Sequence, residues 1–205
     1  MARLLRIDAS SRGQGSHSRE LANFFQKTWI ERYPDDEIVL RDLAQTTIPH
    51  LDDFTIAAFQ TPDEKRDDAM KQAITFSDEL IDELLAADVV LLSVPMYNFS
   101  IPSALKAYID QIVRMGRTFS YDPATGFSGL VTGKKGFTIT AAGALYTNSP
   151  FESFNFLDPY LKALWAFLGV TNMEAIALEG TTTNVDELEQ RKQAARERIQ
   201  SLIAA

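Results

Sequence analysis

Apolar positions along this chain fall into short runs that alternate with amphipathic stretches. The run "LLRIDA" (4–9) ends in a Ser/Gly loop, "SSRGQGSHS" (10–18). From Ser18 or Arg19 onward, Leu21, Phe24, Phe25, Thr28 and Trp29 recur at helical spacing until Pro34 stops the pattern. "EIVLRDL" (37–43) alternates like a strand. Residues 63–88 then place Met70, Ile74, Ser77, Leu80, Ile81, Leu84 and Leu85 on one helix face. "VVLLSVP" (89–95) is continuously apolar and β-branched, as a strand buried on both sides requires. Pro102 to Arg114 reads as a helix with Pro in its first turn and Leu105, Tyr108, Ile109 and Ile112 inward. "GKKGFTITAAG" (133–143) and "MEAIALEG" (173–180) are two further strands. A helix over 157–169 stops at Gly169, and an amphipathic helix spans Val185 to Ile203.

Five strands with helices between them predict a doubly wound α/β domain over 1–205, a parallel sheet covered on both faces. The irregular pieces, 44–62 and 115–132, exceed the usual connection length, and long loops in compact domains tend to carry function.

Composition narrows the classes. The 205 residues include no cysteine, which excludes disulfides and thiolate chemistry and fits a reducing compartment. A formal charge of −8 disfavours nucleic acid, and no dense basic patch offsets it. The longest apolar run, Ala86 to Met96, carries Asp88 and Ser93 and falls short of the ~20 residues that span a bilayer. A cytoplasmic protein with neither membrane nor nucleic-acid partner is expected.

In open α/β sheets, ligands sit beyond the carboxyl ends of the strands. Three such loops are informative. The first holds Ser10, Ser11, Ser16, His17 and Ser18 just before a helix, where amides and hydroxyls suit a phosphate. The same residues also read as a flexible loop and a serine cap. The dinucleotide pattern G-x-G-x-x-G becomes "GQGSHS", with serine where the third glycine belongs. "GLVTGKK" (129–135) is one residue short of a P-loop, lacks its Ser/Thr and precedes a strand. In the second loop, Pro95 and Pro102 stiffen the backbone around Met96, Tyr97, Asn98 and Phe99, which suits a flat conjugated ring with an amide at its edge. The third, Thr140-Ala141-Ala142-Gly143, is small enough for close backbone approach. A phosphate loop, an aromatic clamp and a close-approach loop together describe flavin mononucleotide (FMN).

These residues carry a resemblance. "PMYNF", then "LKAYID", "TFSY" and "GLVTGKK", with "RDLA" at 41–44 and "SDELIDEL" at 77–84, resemble the FMN-dependent NADH:azoreductase family and its quinone-reductase relatives. The resemblance implies a flavodoxin-like fold, a homodimer with FMN near the subunit interface, and two-electron transfer from NADH or NADPH to quinones and azo compounds by a ping-pong course. It assigns Ser10, Ser16, His17 and Ser18 to the phosphate, Pro95 to Phe99 to the flavin ring, and Thr140 to Gly143 to its pyrimidine side. Phe99, Phe119 and Tyr146 become apolar walls for the acceptor, Phe119 reaching over the neighbouring subunit's flavin. Phe119 also reads as an interface residue, and the two are compatible. The family's usual Ser-Arg-Gly-Gly is Thr-Ala-Ala-Gly here, so the arginine is lost. The competing readings are a flavodoxin-type electron carrier and a dehydrogenase that uses Asp42 on a ribose.

Overall fold

The computed structural model describes residues 1–204. Five parallel strands form its main sheet: β1 (Arg3–Asp8), β2 (Glu37–Asp42), β3 (Val89–Pro95), β6 (Lys135–Ala141) and β7 (Asn172–Leu178), in the order β2-β1-β3-β6-β7. This is the flavodoxin-like winding, whose direction of travel reverses between β1 and β3. A separate hairpin, β4 (Phe119–Asp122) and β5 (Gly126–Gly129), occupies part of the 115–132 stretch expected to be irregular.

Alternation along the strands divides the core in two. Leu4, Leu91, Phe137 and Ile139 face α1 (His17–Arg32) and α6 (Val185–Ala204) through Leu21, Phe25, Trp29, Ile199 and Ile203. Leu5, Ile7, Val90, Leu92 and Val94 face the other layer. There Leu80, Ile81 and Leu84 come from α3 (Asp68–Ala86), Tyr108 and Ile109 from α4 (Ser103–Ile112), and Leu161 and Trp165 from α5 (Leu157–Leu168). Three residues after Pro34 the chain rejoins the sheet at Glu37, whose amide donates to Ala2 O (3.0 Å).

Two boundaries differ from the sequence reading. The 44–62 stretch contains α2 (Asp53–Gln60), capped by Asp52, whose side chain accepts from the Thr55 amide. α3 begins at Asp68, capped by Asp67, because residues 63–65 form a separate 3-10 turn. Among the described residues, no helix is long and apolar enough to cross a membrane.

Candidate active site

Because β1, β3 and β6 are adjacent, the loops leaving their carboxyl ends lie side by side. Direct bonds tie them together. The Ala9 amide donates to Ser93 O (2.9 Å), the Met96 amide to Ala141 O (2.7 Å), and Tyr97 Oη lies 2.9 Å from Ser11 Oγ. The serine loop, the aromatic loop and the Thr-Ala-Ala-Gly loop therefore form one continuous edge.

In the serine loop, Ser10 and Ser18 are fully buried and Ser16 nearly so. Ser16 caps α1: its Oγ accepts from the Arg19 amide and lies 3.3 Å from Ser18 Oγ. Gly15 adopts φ +66°, which turns the chain into the helix. The Arg12 amide is taken by Ser10 Oγ, but among the described residues the amides of Gly13 through Ser18 have no partner. That leaves a run of N–H donors at the positive end of a 16-residue helix. His17 Nδ1 is buried and 3.9 Å from Glu20 Oε2. Burial, then the Lys192 ammonium, hold its imidazole below the ordinary value of 6.5, so it is neutral at pH 7. Burial pushes the Glu20 carboxyl up, but bonds from Lys192 and Arg196 outweigh it and hold the carboxyl low.

The aromatic loop is a tight two-residue turn. The Tyr97 amide donates to Ser100 O (2.9 Å) and the Ser100 amide to Tyr97 O (3.1 Å). Asn98 (φ 48°) and Phe99 (φ 70°) both occupy the left-handed region, the signature of a type I′ turn. Asn tolerates this conformation; a bulky aromatic does not, and Phe99 is held in place by its surroundings. Its carbonyl accepts from the Phe156 amide (3.1 Å), and its ring lies 5.5 Å from that of Phe154. Phe99 is 48% exposed, so the turn presents a ring to solvent. Pro95, Met96 and Tyr97 are half-buried beneath it.

In the third loop, Thr140, Ala141 and Ala142 are buried, and Gly143 is partly open. The Ala142 amide is used by Leu178 O (2.9 Å), whereas the amides of Gly143 and Ala144 have no partner among the described residues. A Cβ on Gly143 would make only ordinary contact with Thr182 Cγ2, at 3.4 Å. Glu179 braces the outer arm, accepting from the Tyr146 amide (2.8 Å) and from Thr147 Oγ1 (2.9 Å).

Two of the expected wall residues, Tyr146 on the third loop and Phe119, are placed differently. Tyr146 is 7% exposed and presents little of its ring. Phe119 opens β4 at the opposite end of the strands, since α4 carries the chain back there and β5 leads into the start of β6. Its ring packs with Phe127 (6.0 Å) and Phe167 (5.0 Å) and lines a cavity of about 740 Å3 with Phe59, Arg66, Arg114 and Arg117. Asp42 is not free for a ribose: Arg19 Nη1 and Nη2 hold its two oxygens at 2.7 and 3.0 Å. The bond from Arg19 keeps the Asp42 carboxyl below the usual range.

The structure also exposes residues that sequence reasoning passed over. Phe151, Phe154 and Phe156 stand about half exposed, Phe154 and Phe156 against Phe99. The signal was present as three phenylalanines within "FESFNF".

The donor set fits FMN on three observations: a run of unpartnered amides and small hydroxyls at a helix start, a strained aromatic turn bonded to it, and a small-residue loop with free amides on the far side. Comparisons agree. A profile of the family described as "Flavodoxin-like fold" matches residues 2–203. FMN-dependent NADH:quinone oxidoreductases of Hydrogenovibrio crunogenus and Nostoc punctiforme are each 45% identical, covering 94% and 100% of this chain and 97% and 99% of theirs. The crystal structure of an azoreductase from Bacillus anthracis superposes with a TM-score of 0.92 at 28% identity, over 99% of both chains. With this agreement running almost end to end, the chain belongs to the flavodoxin-like family that includes the FMN-dependent NADH:quinone oxidoreductases.

Proposed function

We propose that the protein is an FMN-dependent oxidoreductase of quinones and azo compounds with NADH as donor, working in the cytoplasm as a homodimer. The observation that carries this reading is the joining of the three strand-end loops through the Ser11–Tyr97 and Met96–Ala141 bonds. FMN, when bound, would supply the two-electron chemistry between NADH and the acceptor. The amides from Gly13 to Ser18, with the hydroxyls of Ser10, Ser16 and Ser18, would hold the phosphate. His17 stands at the same helix start and adds a polar edge. Pro95 to Phe99 would flank the ring, and Gly143 and Ala144 would donate amides to its polar edge. Thr140 to Ala142 would allow the close approach that larger side chains forbid.

Donor and acceptor would use the same apolar face in turn, which gives ping-pong kinetics. Phe99, and less directly Tyr146, would wall that face, and Phe119 would join them from a second copy of the chain. The exposed aromatic cluster at the hairpin supports the dimer: Tyr121 (53%), Phe127 (62%) and Leu130 (41%) form an apolar surface that water would otherwise cover. Steady-state NADH oxidation by the FMN-loaded protein tests the reading. Parallel double-reciprocal lines across quinone concentrations are expected, and intersecting lines would contradict the alternating use of one face.

A further inference from the structure

Four charged side chains meet beneath the serine loop. Asp8, at the end of β1, is fully buried and takes two bonds from Arg6, at 3.0 and 2.8 Å. Arg19, in the first turn of α1, donates through Nη1 to Asp8 (2.9 Å) and Asp42 (2.7 Å), and through Nη2 to Asp42 (3.0 Å). The remaining bond of Nη2 goes to the backbone oxygen of Ser10, at 2.9 Å. Two positive and two negative groups sum to no net charge, so this cluster does not draw a phosphate by long-range attraction. Among the described residues, the one hydrogen bond from these side chains to the loop backbone is that of Arg19 to Ser10 O.

The bond has a directional consequence. A trans peptide is planar, with its C=O and N–H pointing opposite ways. Holding the Ser10 carbonyl on Arg19 aims the Ser11 amide away from the buried cluster, and among the described residues that amide has no partner. Ser11 also carries the hydroxyl that meets Tyr97 Oη, so one fixed peptide plane orients both the amide and the link to the aromatic loop. A lysine in place of Arg19 could not reproduce this: one ammonium lacks the planar fork that spans Asp8, Asp42 and Ser10 O at once.

We infer that Arg19 is a positioning residue for the phosphate loop, setting the Ser10–Ser11 peptide from the ends of β1 and β2 so that the loop recognises the phosphate of its flavin ligand. The inference rests on the FMN reading above and deepens it. Both Nη atoms of Arg19 are already bonded to Asp8, Asp42 and Ser10 O, so Arg19 acts through the peptide it holds, and Asp42 acts through Arg19.

The test is equilibrium binding of FMN and of riboflavin, which lacks the phosphate, to apoprotein, read by quenching of flavin fluorescence. Arg19→Lys is expected to weaken FMN binding about tenfold, the effect of misplacing one charge-assisted donor, with riboflavin affinity changed less than about twofold. Asp42→Asn, on a side chain that is 19% exposed, should shift the same ratio in the same direction even if the Arg19 variant fails to fold. Equal losses for both ligands, or unchanged FMN binding in the Asp42→Asn protein, would overturn the inference. The underlying reading fails separately and visibly: wild-type protein would then bind FMN no better than riboflavin, or bind neither.

Discussion

At Phe99 the backbone holds φ +70°, a conformation that costs a non-glycine residue roughly 1–3 kcal/mol unless its surroundings enforce it. Phe99→Gly removes that cost together with the contact to Phe154, so the two changes oppose each other and stability should shift by less than about 1 kcal/mol. Phe99→Val keeps the strain, adds β-branching and loses the ring, and should destabilise by about 1–3 kcal/mol. Urea midpoints of the two variants separate these outcomes, and equal midpoints would mean the turn stores no strain. His17 makes a second residue-scale prediction. Its folded pKa lies below 6.5, so between those values the unfolded chain binds more protons than the folded one. Its contribution to stability therefore rises with pH through that window and falls away as pH drops below 6.5. Urea unfolding on both sides of the window should show a smaller pH dependence for His17→Gln than for wild type; an unchanged slope would assign the effect elsewhere. The sequence places Pro95, Tyr97, Asn98 and Phe99 beside the strand end because a continuous apolar run and two prolines mark it. It does not reveal the left-handed pair, since only Asn98 is a residue that favours positive φ. Nor does it reveal Arg19 holding Asp42, because that pairing joins residues 23 apart that meet only once β1 and β2 are side by side.

Among the elements, the five strands are legible because β1, β3, β6 and β7 carry compact apolar runs and β2 alternates. The helix α2 is not, for a physical reason: Phe54 and Ile56 are exposed and only Ala58 is buried, so no inward stripe marks it. The hairpin was hidden by strands of four residues outside the main sheet, although Asp122, Pro123 and Gly126 carry turn chemistry. Asp122 Oδ1 accepts from the Ala124 amide (2.8 Å), and Gly126 turns at φ +83°. "GLVTGKK" also finds its explanation here. Lys134 Nζ bonds Leu85 O (2.8 Å) and Ala87 O, satisfying carbonyls at the end of α3, so its role is to cap a helix. Lys134→Met should cost about 1–3 kcal/mol in thermal or urea unfolding. Gly129 packs against the end of α5, where a Cβ would overlap the backbone of Leu168 and Gly169. At Gly136 the obstacle is the movable Met173 side chain. Gly129→Ala should therefore lose about 1–3 kcal/mol and Gly136→Ala distinctly less. The reverse order in their melting temperatures would show that the hairpin is not clamped to α5.

For the whole molecule, the topology separates two tasks by placing them at opposite ends of the same strands. The carboxyl ends gather the serine, aromatic and small-residue loops; the amino ends carry the hairpin with Phe119, Tyr121 and Phe127. Within one chain Phe119 does not reach the flavin site, so the proposed role over a flavin requires a second copy. Sedimentation should give twice the 22.9 kDa chain mass, and Phe127→Glu should shift it towards monomer with a loss of quinone reduction. A monomeric wild type with full activity would remove Phe119 from the account. Whether the three strand-end loops hold a flavin that a nicotinamide reduces directly is read from one spectrum. The visible spectrum of the purified protein, loaded with FMN, should lose its flavin bands on anaerobic addition of NADH alone and regain them when a quinone is added. Flavin bands that persist until a separate reductase is supplied would contradict direct reduction and make the protein an electron carrier.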